Sequence, residues 1–380
     1  MLKKILFDGT ATQGVARAPY SGGADYAIYV LESALEKGFS LDLLLHKKWI
    51  TNPRVLNCIR KFKLNVIYIT EEKEIYNLLN TCKYDTFFSA LPRLKKSFNA
   101  KDVKVIHGLR SIELPWDKYR YKYEFSLIYK IRDYIISCCP FIVEYLRNKH
   151  IQKDIRPLLS ENSTIIAVSE HTRYCIRLFY PKFDINRLKV ISSPVNLEPY
   201  AKQENEYGKY VLIVNGNRYE KNAYRAIQAL TYIFDGEQML DMKVVITGGS
   251  KMAFKDEIKH KEQYILLDYV SNNKLESLYQ NAFIFLYPSL NEGYGYPPLI
   301  AMANGVPVVA SSATSIPEVC QEGAIYFNPL NIYDMANRIL QIYYNNKLRK
   351  SQISRGYQVI RRIKCKQEED VDNLLKIIFD

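Results

Sequence analysis

Short apolar runs alternate along the whole chain with longer stretches in which apolar residues recur at helical spacing. This alternation predicts parallel sheets, because a strand returns parallel to its neighbour only through a crossover connection such as a helix. Helices are expected between the strands, for example at 25–37 and 171–179, with Ser169 as the N-cap of the latter. In the first half the predicted strands are 4–7, 41–45, 65–69, 86–89, 103–106, 165–168 and 188–191.

A polar segment with two prolines interrupts this alternation at residues 192–209. Since 380 residues suit two cores better than one, we place a domain boundary after residue 200. The predicted domains are 1–200 and 201–365, and the last stretch, 366–380, is predicted to be a helix that crosses back to the first domain. The second domain restarts the alternation with strands at 210–214, 243–247, 264–267, 282–286, 308–310 and 324–327, and with a late helix at 348–361.

The segment that follows the apolar run 282–287 has the composition of an anion site. It contains the carboxylate of Glu292, the glycines Gly293 and Gly295, and then Pro298, which suits a first helical position. A glycine loop that opens a helix directs backbone N–H groups and a positive dipole end outward, which favours a phosphate. A carboxylate beside such a site needs another ligand, such as sugar hydroxyls. The pattern therefore predicts a nucleotide-sugar site.

This segment resembles the donor-binding motif of the family 4 glycosyltransferases, in which Glu-Gly-aromatic-Gly-x-Pro is followed by Glu-Ala-Met-Ala-x-Gly. One position departs from the motif, because Ile300 stands where the family carries its second glutamate. The resemblance implies an α/β fold of two doubly wound, Rossmann-like domains that face each other across a cleft, known as GT-B. It implies that Glu292 holds the hydroxyls of the donor sugar. The other implied donor contacts are Gly293, Tyr294, Gly295, Tyr296, Leu299 and Ile300.

Two cations follow the first strand of the second domain, and this position faces the ligand crevice of an open α/β sheet. On the residues alone, Arg218 and Lys221 could form an exposed basic loop. The resemblance implies instead that they clamp the donor diphosphate and stabilise the charge on the leaving group. Asn217 in the same turn and Gly248 after the next strand are the expected neighbours of the nucleotide.

Five residues of the first domain are further candidates. His107 follows the strand at 103–106, with Arg110 and Glu113 as weaker candidates beside it. A lone histidine there is usually structural, but the resemblance implies a place near the donor sugar. Gly22 and Gly23 open a helix after a long loop and would allow a diphosphate or acceptor to approach the backbone, although loop flexibility also explains them.

The net charge of +13 suits nucleic acid, an anionic membrane surface or anionic substrates. We expect no nucleic-acid partner, because the basic residues are dispersed and 31 tyrosines accompany them, which suits a sugar site or a membrane interface better. Residues 116–150 mix aromatic, basic and aliphatic residues. We expect a helical insertion that covers the sheet of the first domain; a helical face on anionic lipid is the alternative.

We expect the protein in the cytoplasm, and a peripheral position on the inner face of the membrane is compatible with this. Seven scattered cysteines suit a reducing compartment, the first residues are charged too early for a signal peptide, and the apolar runs are shorter than a membrane span.

Metal chemistry has little support in this sequence. The Asp370-Val-Asp372 triplet lies in a polar helix, and the histidines lack ligand spacing. The resemblance implies a retaining transfer from a nucleotide sugar to a glycan or polyprenyl-linked acceptor, without a metal or other cofactor, with the acceptor on the first domain and the donor on the second. Two alternatives remain open: an inactive partner subunit, which Ile300 would favour, and a sugar-nucleotide epimerase of the same fold.

Overall fold

The computed structural model describes residues 3–14, 22–81, 83–114, 116–160, 162–201 and 203–380, without the side chain of Asp154. Most of the loop between the first strand and Gly22, residues 15–21, lies outside the described residues. The chain divides into two compact units. The first comprises Met1–Leu109, Lys149–Val195 and Cys365–Asp380, and the second comprises Arg110–Asn148 and Asn196–Lys364.

The first unit contains a sheet of seven parallel strands in the order β3-β2-β1-β4-β5-β6-β7. The order reverses between β1 and β4, which is the topology of a doubly wound sheet. The strands are β1 (Ile5–Asp8), β2 (Asp42–His46), β3 (Asn65–Ile69), β4 (Thr86–Ser89), β5 (Lys101–Ile106), β6 (Ser163–Ala167) and β7 (Leu188–Val190). The helices that begin in this unit are α1 (Gly22–Glu36), α2 (Pro53–Phe62), α3 (Glu72–Asn80) and α7 (Glu170–Phe179).

The second unit repeats this design with six parallel strands in the order β10-β9-β8-β11-β12-β13. Its core lies between the sheet and its helices and includes Val211, Ile213, Leu230 and Ile284. The strands are β8 (Tyr210–Ile213), β9 (Lys243–Ile246), β10 (Tyr264–Leu266), β11 (Ile284–Tyr287), β12 (Val308–Ser311) and β13 (Ala324–Phe327). The helices of this unit after β8 are α8 (Ala223–Asp235), α9 (Asn272–Asn281), α10 (Tyr296–Ala303), α11 (Ile316–Cys320), α12 (Ile332–Tyr344) and the start of α13 (Asn346–Phe379).

Local sequence explains why these elements form. β8 and β11 are apolar at every position and buried at every position, as expected for strands of a parallel sheet that is covered on both faces. Helix α7 begins at the predicted cap, since the Ser169 side chain accepts a hydrogen bond from the N–H of Thr172. All the strands predicted from the sequence are present, with ends that shift by one or two residues.

The last helix differs from the prediction of two separate stretches. α13 continues without a break for 34 residues. The charged residues 361–369 include no proline or glycine, and Arg, Lys, Glu and Gln are good helix formers, so nothing there ends the helix. Its last part, Cys365–Asp380, groups with the first unit. There the Gln367 Oε1 accepts a hydrogen bond of 3.0 Å from the N–H of Val195.

The insertion at 116–150 packs on a different unit from the one predicted. We expected it to cover the sheet of the first domain, but residues 110–148 group with the second unit. The reason is aromatic packing: Tyr123 packs against the core of the second unit, and its hydroxyl accepts a hydrogen bond of 2.9 Å from the N–H of Tyr224. The insertion contains α5 (Leu127–Ser137) and α6 (Pro140–His150), and the short helix α4 (Arg110–Glu113) precedes it.

Within the described part of the chain, no helix has both the length and the apolar character that crossing a membrane would require.

Candidate functional site

The candidate site of the second unit lies where the strand order of its sheet reverses. β8 and β11 are parallel neighbours there, although two strands separate them in sequence. The loops that follow them are tied together, because the N–H of Leu290 donates to the carbonyl oxygen of Glu220 at 2.8 Å. The Asn222 side chain also donates to the carbonyl oxygen of Pro288 at 3.1 Å. Such a reversal opens a crevice at the carboxyl ends of the strands, where ligands bind in open α/β sheets.

Lys221 and Glu292 meet between the loops that follow these two strands. The Lys221 Nζ lies 2.5 Å from the Glu292 Oε1, and both residues are buried. The same Nζ donates to the hydroxyl of Tyr287 at 3.4 Å. The two residues are 71 positions apart in sequence. The fold therefore joins Lys221, predicted to bind the diphosphate, and Glu292, predicted to bind the sugar, in one ion pair.

The ion pair decides the protonation state of Glu292. Burial by itself raises the pKa of this carboxyl group, but the charge of Lys221 and hydrogen bonds with Lys221 and Tyr287 outweigh it and lower the pKa below the ordinary value. Burial also raises the pKa of Tyr287 well above its ordinary value, so its hydroxyl keeps its proton. Glu292 is therefore an ionised group that only accepts hydrogen bonds at neutral pH, which suits hydroxyl groups that donate to it.

The loop of Glu292 is held by the segment after β12. The Thr314 Oγ1 accepts a hydrogen bond of 3.0 Å from the N–H of Glu292. The Ser315 hydroxyl donates to the carbonyl oxygens of Glu292 and Tyr294 at 2.9 and 3.0 Å. From the sequence, no role at the site was assigned to Thr314, Ser315 or Tyr287. Their position at the ends of β11 and β12 was the signal that could have found them.

The start of α10 has some, but not all, of the features predicted for a phosphate-binding loop. Gly295 has a φ of 109°, a left-handed conformation that favours glycine, and α10 begins at the next residue. Pro297 and Pro298 lack an N–H group, so the first turn offers fewer backbone donors than a helix N-terminus usually does. Leu299 is fully buried, so only its backbone could face a ligand, whereas Ile300 is partly exposed.

The side chain of Arg218 has a different partner from that of Lys221. Its guanidinium pairs with Glu220, and the side chain of Arg218 is 47% exposed. The Nη1 of Arg110 contacts the same Glu220 Oε1 at 2.8 Å. Two guanidinium groups therefore share one carboxylate beside the loop of Lys221. Arg110 was predicted only as a neighbour of His107, and its contact with Glu220 was not foreseen.

The predicted nucleotide side is assembled from the loops after β8 and β9. The N–H of Gly216 donates to the carbonyl oxygen of Thr247 at 2.9 Å, and Gly248 has a φ of 69°. A Cβ atom at Gly248 would lie 2.7 Å from the Oδ1 of Asn217, so a larger residue would collide with this side chain. The structure thus brings together Asn217 and Gly248, two residues that the sequence assigned to the nucleotide.

The first-unit candidates gather around the segment after β4. The Nε2 of His107 lies 2.9 Å from the carbonyl oxygen of Ala90. Since this oxygen can only accept, Nε2 carries the proton and Nδ1 is left as an acceptor. Burial lowers the pKa of His107 to about 4, so the ring is neutral at physiological pH. Gly23 lies beside Leu91, where a Cβ atom would be 2.7 Å from a methyl group, and Gly22 is exposed.

Sequence comparisons match part of this chain. Residues 197–359 match the sequence model of the family described as "Glycosyl transferases group 1". The chain is 27% identical over 242 residues to the O-antigen chain mannosyltransferase RfbU of Salmonella typhimurium, which covers 57% of this chain and 67% of the relative. It is 29% identical over 242 residues to the O-antigen chain mannosyltransferase B of Escherichia coli, which covers 59% of this chain and 63% of the relative.

Solved structures match nearly the whole chain at low identity. A glycosyltransferase from Rickettsia africae superimposes with a TM-score of 0.67 at 15% identity, over 99% of this chain and 98% of its own. WaaG, a glycosyltransferase involved in lipopolysaccharide biosynthesis, superimposes with a TM-score of 0.66 at 11% identity, over 98% of this chain and 99% of its own. These likenesses confirm the predicted GT-B fold class of two Rossmann-like α/β domains. With the family match and the curated relatives, they support a GT-B glycosyltransferase.

Proposed function

We propose that this chain transfers a hexosyl group from a nucleoside-diphosphate sugar to a glycan or lipid-linked glycan. The observation that carries the proposal is the buried pair of Lys221 and Glu292, which lies at the strand-order reversal and inside the region that matches the glycosyltransferase family. The names of the curated relatives make mannose the first candidate for the sugar. Assembly of a surface polysaccharide is the corresponding setting.

Lys221 would bind the diphosphate while it stays paired with the carboxylate of Glu292. An ammonium group has three N–H donors, and the structure shows acceptors for two of them, Glu292 and the hydroxyl of Tyr287. The third can bind a phosphate oxygen. Lys221 would then stabilise the negative charge that develops on the leaving diphosphate, at about 1.5–3 kcal/mol for a charge-assisted hydrogen bond.

Glu292 would hold the donor sugar on the other side of Lys221. Its ionised carboxylate accepts hydrogen bonds from sugar hydroxyls, and Thr314 and Ser315 fix the backbone from which it extends. Because one ion pair links the two ligands, the spacing between the sugar and the diphosphate would be set before the donor binds. This preorganisation is how a protein stabilises a transition state at low reorganisation cost.

Arg218 would add a second cation to the diphosphate, and Glu220 would hold it until the donor arrives. The neutral ring of His107 would offer its Nδ1 as an acceptor for a sugar hydroxyl. We further propose that the reaction proceeds with retention at the anomeric carbon. Arg218 and Lys221 would do the work that a metal ion does in other transferases, so that no metal is required.

One residue favours the alternative of an inactive partner subunit. Ile300 can accept no hydrogen bond from a ribose, so the nucleotide would be held more weakly than the resemblance implies. Incubation of the purified protein with UDP-, GDP- and dTDP-sugars separates the two functions. We expect one nucleotide sugar to raise the melting temperature and to be consumed with release of its nucleoside diphosphate. Stabilisation without any release, even with glycan acceptors present, would favour the partner subunit.

A further inference from the structure

The insertion carries a concentrated apolar surface, formed by residues 125–145 and called here the apolar hairpin. Among the described residues, 23 large apolar side chains are exposed, and ten of them lie in this segment. The most exposed are Phe141 at 90%, Ile128 at 76% and Phe125 at 74%. An exposed apolar surface of this density is uncommon in soluble proteins and marks a site of interaction. The other members are Leu127, Tyr129, Ile131, Tyr134, Ile135, Ile142 and Tyr145.

Helix α5 has its apolar face turned outward. Its exposed apolar residues recur at helical spacing, so they form one stripe along the helix, whereas the buried residue on the opposite side is Asp133. A helix that packs on a protein core has the reverse arrangement. The stripe consists of Leu127, Ile128, Ile131, Tyr134 and Ile135.

Ion pairs hold α5 in this orientation. The Asp133 Oδ1 lies 2.6 Å from the Nη2 of Arg132, and its Oδ2 lies 3.5 Å from the Nε of Arg120. The Arg120 guanidinium in turn stacks 4.1 Å from the ring of Trp116 and 5.2 Å from that of Tyr219. A rotation of α5 that buried the apolar stripe would expose these groups and break the pairs. The outward apolar face therefore belongs to the folded state of the second unit.

We propose that the apolar hairpin docks this protein on an anionic phospholipid bilayer, with its side chains inserted at the level of the headgroups. The charge of the chain selects this occupant: at +13 a second copy is repelled, whereas an anionic surface attracts it. Residues 116–150 contain seven basic and four acidic residues, so the surroundings of the stripe are basic as well. The exposed tyrosines of the hairpin, apolar rings with a polar tip, suit the boundary between headgroups and acyl chains.

Co-sedimentation with vesicles tests the proposal. The vesicles contain equal parts of phosphatidylglycerol and phosphatidylcholine, and pure phosphatidylcholine vesicles provide the comparison. We expect binding to the anionic vesicles that weakens with added salt, because surface attraction is screened. Ile128→Glu and Phe141→Glu should each lower the partition coefficient about tenfold or more. The matched control is Leu178→Glu, an exposed apolar position at 72% outside the hairpin, which should change it less than about twofold.

Equal binding by the parent and both hairpin variants would overturn the proposal, as would a parent protein that binds neither kind of vesicle. A parent that is dimeric in solution, with monomeric hairpin variants and no vesicle binding, would overturn it in favour of a second copy on the hairpin. The proposal is independent of the donor site. Both variants should keep the thermal shift with a nucleotide sugar, so that a failure in the vesicle assay leaves the proposed transfer untouched.

Discussion

Removing one partner of the Lys221–Glu292 pair should destabilise the second unit strongly. Their side chains are only 7% and 9% exposed, so Lys221→Met leaves a carboxylate, and Glu292→Gln leaves an ammonium, without its counter-charge in a buried place. Removing one partner of a buried pair costs about 3–5 kcal/mol of the free energy of unfolding. We therefore expect each variant to lose this amount, and the double variant to lose less than the sum of both.

Urea unfolding followed by tryptophan fluorescence measures this loss. The chain contains two tryptophans, Trp49 in the first unit and Trp116 in the second, so a Trp49→Phe background reports on the second unit. The matched control is Lys209→Met, which breaks the pair of Lys209 with Asp241, whose side chains are 57% and 49% exposed. An exposed pair contributes about 0–1 kcal/mol, so the control should unfold almost as the parent does.

Acidification provides a second test of the same pair. The pKa of Glu292 is lowered in the folded protein, so its ionisation stabilises the fold above the ordinary glutamate value of 4.5. This contribution is lost as the pH falls through the lowered pKa. The stability difference between the parent and Glu292→Gln should therefore shrink below pH 4.5. A stability loss for Lys221→Met no larger than that for Lys209→Met, or a Glu292→Gln difference that stays constant down to about pH 3, would show that this ion pair does not stabilise the second unit.

Four further expectations concern the reaction. Arg218→Ala should lower transfer about ten- to a hundredfold with the melting temperature unchanged, and transfer at the parent rate would remove Arg218 from the site. EDTA should leave transfer unchanged; full dependence on added Mn²⁺ or Mg²⁺ would contradict the metal-free model. Because the pKa of His107 is about 4, a pH–rate profile should show no His107 ionisation between about pH 5 and 8, and a step near 6.5 that His107→Gln abolishes would disprove this. Because Ile300 cannot bind the ribose hydroxyls, the affinity for dTDP should be within about tenfold of the affinities for UDP and GDP. Ile300→Glu should strengthen UDP or GDP binding. No effect of Ile300→Glu would mean that position 300 does not face the ribose.

The strands were predictable because each is a short apolar run between polar segments, and a strand of a covered parallel sheet needs nothing more. The loop at Glu292 was predictable from its glycines. Gly295 adopts a left-handed φ that favours glycine, so the glycine in the sequence marked this turn. That Asn217 and Gly248 lie on the same side of the sheet followed from their places after the neighbouring strands β8 and β9. These features depend on local backbone chemistry, and they were found from the sequence.

The remaining features depend on which distant residues the fold brings together. Nothing in the sequence near Lys221 indicates that its Nζ binds Glu292, 71 residues later, or that Arg110 and Arg218 share Glu220. The insertion was assigned to the wrong sheet because its aromatic residues predict packing but do not identify their partner. The outward face of α5 was visible in the helical pattern, but the burial of Asp133 decides which side faces the solvent.

Release of nucleoside diphosphate from a nucleotide sugar, compared between the parent protein and Glu292→Gln, tests the central claim most directly. We expect the parent to release nucleoside diphosphate from at least one UDP-, GDP- or dTDP-sugar when a glycan acceptor is present. Glu292→Gln should still bind that nucleoside diphosphate but release it at least about tenfold more slowly. Release at the parent rate by Glu292→Gln, or binding of no nucleotide sugar by the parent, would show that the Lys221–Glu292 pair does not form a donor site.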